Sequence, residues 1–176
     1  MDATVELLTR DSVSEESKWD LSGLYAATNK WREDFAALES AVAGYADFAG
    51  TLNQSATAIK ACLVFDLGIS RKLDALYAYA HLKNDEDQTN TSNQETFENV
   101  MRLHTRILEA RSFLASELIS VPEDRMNAFL HDNSLEPYKF YLEQILRFRK
   151  HTLSKKEESL LAASSEMARN SQGAFS

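Results

Sequence analysis

The sequence predicts an all-α fold of about five to seven helices, arranged as antiparallel hairpins or a bundle. Only five glycines and two prolines occur in 176 residues, and folds built from strands and tight turns need many more. Apolar residues recur at three- and four-residue intervals, the spacing of one helix face, and no strand-like alternation is seen. Because the connections between the predicted helices are short, sequential helices are expected to pack as antiparallel neighbours.

The first predicted helix begins at Asn29, whose side chain can cap a helix, and runs to about Phe48, stopping near Gly50. Residues 1–18 are polar and weakly patterned, so we expect a loose lead-in followed by one domain over residues 19–176. The helix is predicted because its apolar residues form one stripe. These residues are Trp31, Phe35, Leu38, Val42 and Tyr45.

A second helix is predicted from Ser55 to about Lys83, and Gly68 marks a place where it can bend. A cluster of turn-forming residues over 84–94 interrupts it. The third helix is predicted from Thr91 to Glu117. The apolar stripe of the second helix is Ile59, Leu63, Leu67, Leu73, Leu76, Tyr77 and Ala80. That of the third is Phe97, Val100, Met101, His104, Ile107, Leu108, Leu114 and Leu118.

Three shorter helices are predicted in the last third of the chain. Pro122 suits a first helical turn, Ser134 is placed as the cap of the next helix, and Ser154 begins a last helix that runs to about Asn170. The stripe of the middle one is Tyr138, Tyr141, Leu142, Ile145 and Phe148.

The charged stretch 147–158, RFRKHTLSKKEE, is interpreted as a junction between two helices. Its basic residues, Arg147, Arg149, Lys150 and His151, complement the carbonyl end of the preceding helix. Ser154 and Glu157 fit a capping box for the next helix. We expect Ser154→Ala to cost about 1 kcal/mol.

Composition excludes several classes of function. Hydrophobic residues make up 44% and charged residues 26%, and the net charge is −8, so a globular domain with a sizeable core is expected. A chain this acidic is a poor match for nucleic acid or for an anionic membrane, and we expect neither as a partner. The longest apolar run, 61–65, is too short to span a bilayer, and no signal peptide is recognised. We therefore expect a cytoplasmic protein.

The histidines do not form a recognisable metal site. A zinc peptidase helix needs H-E-x-x-H, and a di-iron bundle needs E-x-x-H. None of the four histidines is followed by Glu or preceded by Glu three residues earlier, and no two are four apart. They are His81, His104, His131 and His151.

The remaining candidates also favour structural roles. The loop that begins at Asp85 lacks the Gly and Glu that a calcium loop carries at positions six and twelve. Cys62 is alone in an apolar run and is interpreted as a buried small residue. His104 and Arg111 are interpreted as a core histidine and an arginine paired with a carboxylate, with a polar patch facing a partner domain as the alternative. Four tyrosines are assigned to the core or its boundary: Tyr77, Tyr79, Tyr138 and Tyr141.

No catalytic, cofactor-binding or metal-ligating residue can therefore be assigned to this chain. Six features of the sequence nevertheless occur in a recognisable order. They are WDLSGLY (19–25), the helix predicted around Trp31, FAGTL (48–52), LYAYAHLKNDED (76–87), ARSFLASEL (110–118) and RFRKHTLSKKEESLLA (147–162). In this order they resemble the N-terminal helical region of the oligoendopeptidase F-like zinc metallopeptidases, and the resemblance runs from about Trp19 to the end.

The resemblance implies an almost wholly helical enzyme that cuts oligopeptides with a zinc ion held by H-E-x-x-H and a downstream Glu. These ligands lie beyond the region matched here, so we expect zinc in the full-length parent and none in this chain. The chain is then expected to be a non-catalytic wall of the substrate cleft. Its expected partners are its own catalytic domain, the oligopeptide substrates of the parent enzyme and, through exposed apolar surface, a second copy of the chain. The alternative is a free-standing helical interaction module.

Overall fold

A computed structural model describes residues 12–151 of the chain. In this range the residues form α-helices and short 3₁₀ turns without a strand, so the all-α prediction is confirmed. The α-helices are α1 Thr28–Ala41, α2 Ala56–Glu86, α3 Thr91–Ala110, α4 Phe113–Ser120, α5 Glu123–Leu130 and α6 Lys139–Arg147. The 3₁₀ turns are Glu15–Ser17, Val42–Asp47, Asn133–Tyr138 and Phe148–His151. The predicted helix from Ser154, with its capping box, lies outside the described residues.

Helix α1 carries the predicted apolar stripe, but its predicted cap is wrong. Asn29 lies inside the first turn, and Ala27, in an extended conformation, precedes the helix without a side-chain cap. Trp31 and Leu38 are buried, and the Trp31 indole N–H donates to the carbonyl of Leu76 at 3.0 Å. This bond fixes α1 against α2.

After α1 the chain tightens into the 3₁₀ turn and then reverses direction. Val42 and Tyr45 are buried in that turn, so the stripe continues although the helix type changes. Gly50 has a φ of +80°, a conformation that glycine adopts at little cost. The predicted stop near Gly50 is confirmed.

Helix α2 begins where predicted, because the Ser55 hydroxyl accepts a hydrogen bond from the Ala58 amide at 3.1 Å. It runs without interruption through Gly68 and ends at Glu86, three residues later than predicted. Two members of the predicted stripe, Leu67 and Tyr77, are exposed. The buried side of this helix turns gradually with the 3.6-residue period and so passes through Asp66 and Tyr79 instead.

The predicted third helix is two helices, because the chain breaks at Arg111 and Ser112 between α3 and α4. Helix α3 begins as predicted, with the Asn90 side chain accepting from the amides of Ser92 and Asn93. The predicted stripe members Met101 and Leu108 are exposed, whereas Leu103, which the prediction omitted, is buried.

Helices α2 and α3 contact each other along their length with opposite chain directions. Near the connecting loop, the rings of His81 and Phe97 have centroids 5.5 Å apart. At the far end, Asp66 meets Arg111 at 3.0 Å. The later part of α2 therefore faces the earlier part of α3, as in an antiparallel pair. The arrangement of all the helices as a bundle stays a prediction.

Helix α5 begins next to its predicted start, whereas α6 begins at Lys139, five residues after the predicted cap. Pro122 directly precedes α5, with Glu123 and Asp124 in the first turn. The predicted cap at Ser134 is wrong, because the Asp132 carboxylate accepts from the Ser134 amide at 2.8 Å and begins the 3₁₀ turn that leads into α6. The Ser134 hydroxyl is buried without a hydrogen-bond partner.

The buried residues form two apolar clusters that share α2. The first cluster joins α1 and α3 to the later part of α2, from Ile69 to Ala80. The second joins α4, α5 and α6 to the first turns of α2, from Ala56 to Leu63. Phe113 packs against both clusters. Asp66 lies on α2 between the two, which places a charged group at their junction.

No helix in the described part of the chain combines the length and the apolar character that a membrane crossing requires.

Candidate functional site

The junction of the two clusters holds a buried polar network centred on Asp66. The Asp66 side chain is within α2, and the residue is 4% exposed. One carboxylate oxygen accepts a hydrogen bond from the Tyr45 hydroxyl at 2.7 Å, and the other lies 3.0 Å from the Arg111 guanidinium. Both oxygens are therefore partnered, as a buried carboxylate requires.

The break between α3 and α4 positions Arg111 for this contact. At that point the backbone leaves the axis of α3, and the guanidinium reaches across to α2 while the side chain stays 29% exposed. The predicted pairing of Arg111 with a carboxylate is confirmed by this ion pair. His104, which was assigned with it to the core, is instead half-buried beside a groove of about 260 Å³ lined by residues of α2 and α3.

Burial and the charge of Asp66 suppress ionisation around this network. The pKa of Tyr45 is raised, first by burial and then by its hydrogen bond to Asp66. The pKa of Tyr141 is also raised by burial, although the nearby charge of Arg111 opposes this effect. Both phenols are therefore neutral at physiological pH and can donate hydrogen bonds.

Cys62 lies one turn before Asp66 and is fully buried. Burial, followed by the negative charges of Asp66 and Glu117, raises the pKa of its thiol to about 11. Because the thiolate is the reactive form of cysteine, this residue is unsuited to nucleophilic chemistry at neutral pH. Its interpretation as a buried small residue is confirmed.

An open pocket of about 320 Å³ lies above the Asp66–Arg111 pair. Its walls come from α2, from the start of α6 and from the 3₁₀ turn that precedes α6, and they are mainly apolar. The charges of Asp66 and Arg111 neutralise each other at its base, so the pocket suits an apolar group with a neutral polar end. The lining residues are Leu63, Asp66, Leu67, Ser70, Arg111, Pro137, Tyr138 and Tyr141.

Two aromatic residues late in the described range are strongly exposed. Phe140, in α6, is 72% exposed, and Phe148, in the 3₁₀ turn that follows α6, is 65% exposed. Tyr141, which lines the pocket, is 40% exposed. Of the four tyrosines assigned to the core or its boundary, Tyr79 is buried, Tyr138 is half-buried, and Tyr77 and Tyr141 are exposed. The last two are 38% and 40% exposed and so lie at the boundary of the core rather than within it.

The histidines in the described range lie in separate local contacts. The His81 ring is 3.1 Å from the Asp85 carboxylate on the same helix, and the His131 ring is 2.7 Å from the carbonyl of Asn127. Among residues 12–151, no group of three His, Cys, Asp or Glu side chains converges to hold a metal.

The acidic loop between α2 and α3 stabilises a turn. One carboxylate oxygen of Asp87 accepts from both the amide and the hydroxyl of Thr89, at 3.0 and 2.7 Å. Asp85 is used by His81. The carboxylates that would begin a calcium loop are thus engaged in local bonds.

Arg149 has a role that the sequence did not indicate. Its guanidinium donates to the carbonyls of Ile119 and Val121, at 3.1 and 2.8 Å, and lies 3.5 Å from that of Leu118. These carbonyls end α4, where backbone acceptors lack partners within the helix. The prediction that Arg149 serves the end of its own helix is therefore wrong, because it caps a different helix.

Comparison with known proteins gives consistent matches. A family model described as Oligopeptidase F matches residues 117–176. Oligopeptidase PepF of Bacillus subtilis is 31% identical over 172 residues, which cover 97% of this chain and 26% of that protein. The chain thus spans about a quarter of the length of the curated relatives it matches.

Solved structures give the same result. A crystal structure of a protein from Chlamydophila abortus superposes with a TM-score of 0.80 at 29% identity, covering 97% of this chain and 29% of the other. Oligoendopeptidase-F from Enterococcus faecium superposes with a TM-score of 0.65 at 31% identity, covering 80% and 28%.

Proposed function

Because this chain belongs to the oligoendopeptidase F-like peptidases and corresponds to their N-terminal helical region, we propose that it forms a non-catalytic wall of a peptide-binding cleft. The observation that carries the proposal is the extent of the similarity. It covers nearly the whole of this chain but only about a quarter of the relatives. The remaining three quarters of a family-length protein would supply the zinc ion and the hydrolysis of oligopeptides.

The described residues suit a supporting role. The two clusters share the 31-residue helix α2, and Asp66, Arg111 and Tyr45 join them through paired charges and a hydrogen bond. Such a scaffold holds its surface in place without contributing a nucleophile or a titrating acid. We infer that it admits only extended peptides to the cleft and keeps folded proteins out. We further infer that the enzyme is cytoplasmic.

Two proteins test this proposal. The first is the 176-residue chain alone, and the second is a chimera in which this chain replaces the matching region of Bacillus subtilis oligopeptidase PepF. A fluorogenic oligopeptide and an intact folded protein serve as substrates, and bound zinc is measured by atomic absorption.

We expect the isolated chain to contain no stoichiometric zinc and to cleave neither substrate. The chimera should cleave the oligopeptide, lose that activity on treatment with a chelator, and leave the folded protein intact. Stoichiometric zinc in the isolated chain, or chelator-sensitive turnover by it, would overturn the proposal. A chimera that folds but degrades the folded protein would contradict the restricting role.

A further inference from the structure

Two open pockets lie in line along one side of α2. The first pocket is the one above the Asp66–Arg111 pair, and the second pocket is the groove beside His104. Five of the α2 residues that line them are separated by alternating steps of four and three residues, which keeps them on one side of a helix. These residues are Leu63, Leu67, Ser70, Asp74 and Tyr77. The two pockets therefore form one continuous tract, called here the α2 tract.

The distance between the two pockets matches the repeat of an extended peptide. The α2 residues of the first pocket lie within residues 63–70, and those of the second lie within residues 73–77. The midpoints of these ranges are about eight residues apart, which corresponds to about 12 Å along the helix axis. In an extended chain, side chains four residues apart point to the same side and are about 13 Å apart. A peptide that lies along α2 can therefore place one side chain in each pocket.

The first pocket suits an apolar side chain. Its volume is about 320 Å³, whereas a protein cavity of about 150 Å³ is enough to hold a benzene ring. Its walls are mainly apolar, and the charges of Asp66 and Arg111 cancel at its base. Arg111 contacts Asp66 through one nitrogen, Nη2, and a guanidinium carries five N–H donors. Arg111 can therefore also donate a hydrogen bond to a main-chain carbonyl of a bound peptide.

The second pocket suits a basic side chain. Its volume is about 260 Å³, and Asp74, Tyr77 and His104 line it together with two apolar residues. Asp74 is exposed, so its carboxylate can receive a charge-assisted hydrogen bond from a lysine or arginine. The stem or the charge of the same side chain can pack against the Tyr77 ring. The net charge of −8 attracts a cationic peptide at longer range.

We propose that the α2 tract binds an extended oligopeptide, with an apolar side chain in the first pocket and a lysine or arginine four positions away in the second. The choice of a peptide as the ligand rests on the proposed function, whereas the chemistry and spacing of the two side chains rest on the pockets themselves. The α2 tract is then the part of the wall that selects among peptides. A segment of the rest of a family-length protein is the competing occupant.

Fluorescence anisotropy of the 176-residue chain with dye-labelled peptides tests this binding. The probe is a short peptide of glycine and serine, amidated at its C-terminus, that carries a leucine and a lysine four positions apart. In one comparison peptide the leucine and lysine are adjacent, and in the other a glutamate replaces the lysine. We expect the probe to bind at least about fivefold more tightly than either comparison peptide. Its advantage over the glutamate peptide should shrink as salt is added.

Two variants of the chain assign the two side chains to their pockets. Leu67→Asp should weaken binding of the probe at least about fivefold, and Asp74→Asn should reduce the preference for lysine over glutamate at least about threefold. The controls, Leu108→Asp and Asp124→Asn, change residues outside both pockets and should leave binding unchanged. Leu67 and Leu108 are 48% and 50% exposed, and Asp74 and Asp124 are both exposed. All four variants should therefore keep the helical circular dichroism of the parent chain.

Equal affinity for the three peptides, or equal weakening by the test and control variants, would overturn the proposal. The proposed function would survive that result, because zinc content and cleavage by the chimera test it separately. In the chimera, Leu67→Asp should raise the KM for a fluorogenic peptide with the same two side chains and leave kcat little changed. An unchanged KM together with a lowered Tm of the chimera would overturn the proposal in favour of a segment of the parent protein as the occupant.

Discussion

Replacing Arg111 by glutamine would leave the Asp66 carboxylate in a site that is 4% exposed, with the Tyr45 hydroxyl as its remaining partner. Breaking a fully buried ion pair by removing one partner costs about 3–5 kcal/mol. The Arg111 side chain is 29% exposed and borders an open pocket, so solvent screening reduces this cost. We therefore expect the free energy of unfolding to fall by about 2–3 kcal/mol.

Urea unfolding at pH 7, followed by circular dichroism, measures this loss. The matched control is Arg106→Gln, which removes an ion pair with Glu39 in which both side chains are about half exposed. Pairs of that kind contribute at most about 1 kcal/mol. A double-mutant cycle with Asp66→Asn adds a second criterion. The sum of the losses in unfolding free energy for the two single variants should exceed the loss for the double variant by about 1–2 kcal/mol. Equal losses for Arg106→Gln and Arg111→Gln, or additivity within about 0.5 kcal/mol, would refute the reasoning.

Three further predictions use local features of the fold. Arg149→Ala should lower the free energy of unfolding by about 1–2 kcal/mol, because it leaves the carbonyls at the end of α4 without a donor. The control is Arg147→Ala at an exposed position, which should cost less than about 0.5 kcal/mol in the same urea assay. Asp132→Ala should lower the free energy of unfolding by about 1 kcal/mol, because the Asp132 carboxylate accepts a hydrogen bond from the Ser134 amide. Ser134→Ala should change it by close to nothing, because the Ser134 hydroxyl has no hydrogen-bond partner. The reverse order of these two losses would restore Ser134 as the cap. Burial raises the pKa of the Cys62 thiol from its ordinary value of 9.0 to about 11, because it disfavours the charged thiolate. The folded state therefore keeps its full stability below pH 9, and part of that stability is lost as the pH rises through 11 and the buried thiol ionises. Ellman's reagent at pH 8 should therefore label the folded chain at least about tenfold more slowly than the chain in urea, and equal rates would contradict the burial of this thiol.

The helical periodicity was enough to predict most of the core, because burial follows the 3.6-residue spacing over several turns. Trp31, Leu38, Val42 and Tyr45 were all placed correctly on one stripe. The errors at Leu67, Met101 and Leu108 have one form. Each of these exposed residues directly follows a buried one, so the stripe was drawn about one residue too wide. The three buried neighbours are Asp66, Val100 and Ile107.

The break at Arg111 could not be predicted from local sequence. The residues around it favour a continuous helix, and they contain neither a glycine nor a proline to mark an end. The break depends on tertiary contacts instead, since Arg111 meets Asp66 there and Phe113 then packs against both clusters. Local propensity does not contain that information.

Helix starts show the same limit on a smaller scale. The helix starts near Ser55 and Thr91 were predicted correctly, and in the structure the side chains of Ser55 and Asn90 cap these two helices. Near residue 133 the prediction named Ser134, whereas the structure uses the Asp132 side chain, two residues earlier, as the cap. Near Asn29 the sequence offers a cap that the structure does not use.

The candidate site was predicted in part. Arg111 was paired with a carboxylate, but its partner is 45 residues away and was not identified. A signal was present, because Asp66 falls on the apolar side of α2 between Leu63 and Ile69. A charged residue at such a position requires a partner. No comparable signal marks Arg149, whose acceptors are backbone carbonyls of another helix.

Helix α2 has a consequence for how the molecule unfolds. Its first turns belong to one cluster and its later turns to the other, and the helix is continuous across the junction at Asp66. If one cluster unfolds, it exposes apolar residues of α2 while the other part of the same helix is still packed in the other cluster. The two halves of the core are therefore thermodynamically coupled, and the folded residues should unfold cooperatively as one unit rather than as two independent subdomains.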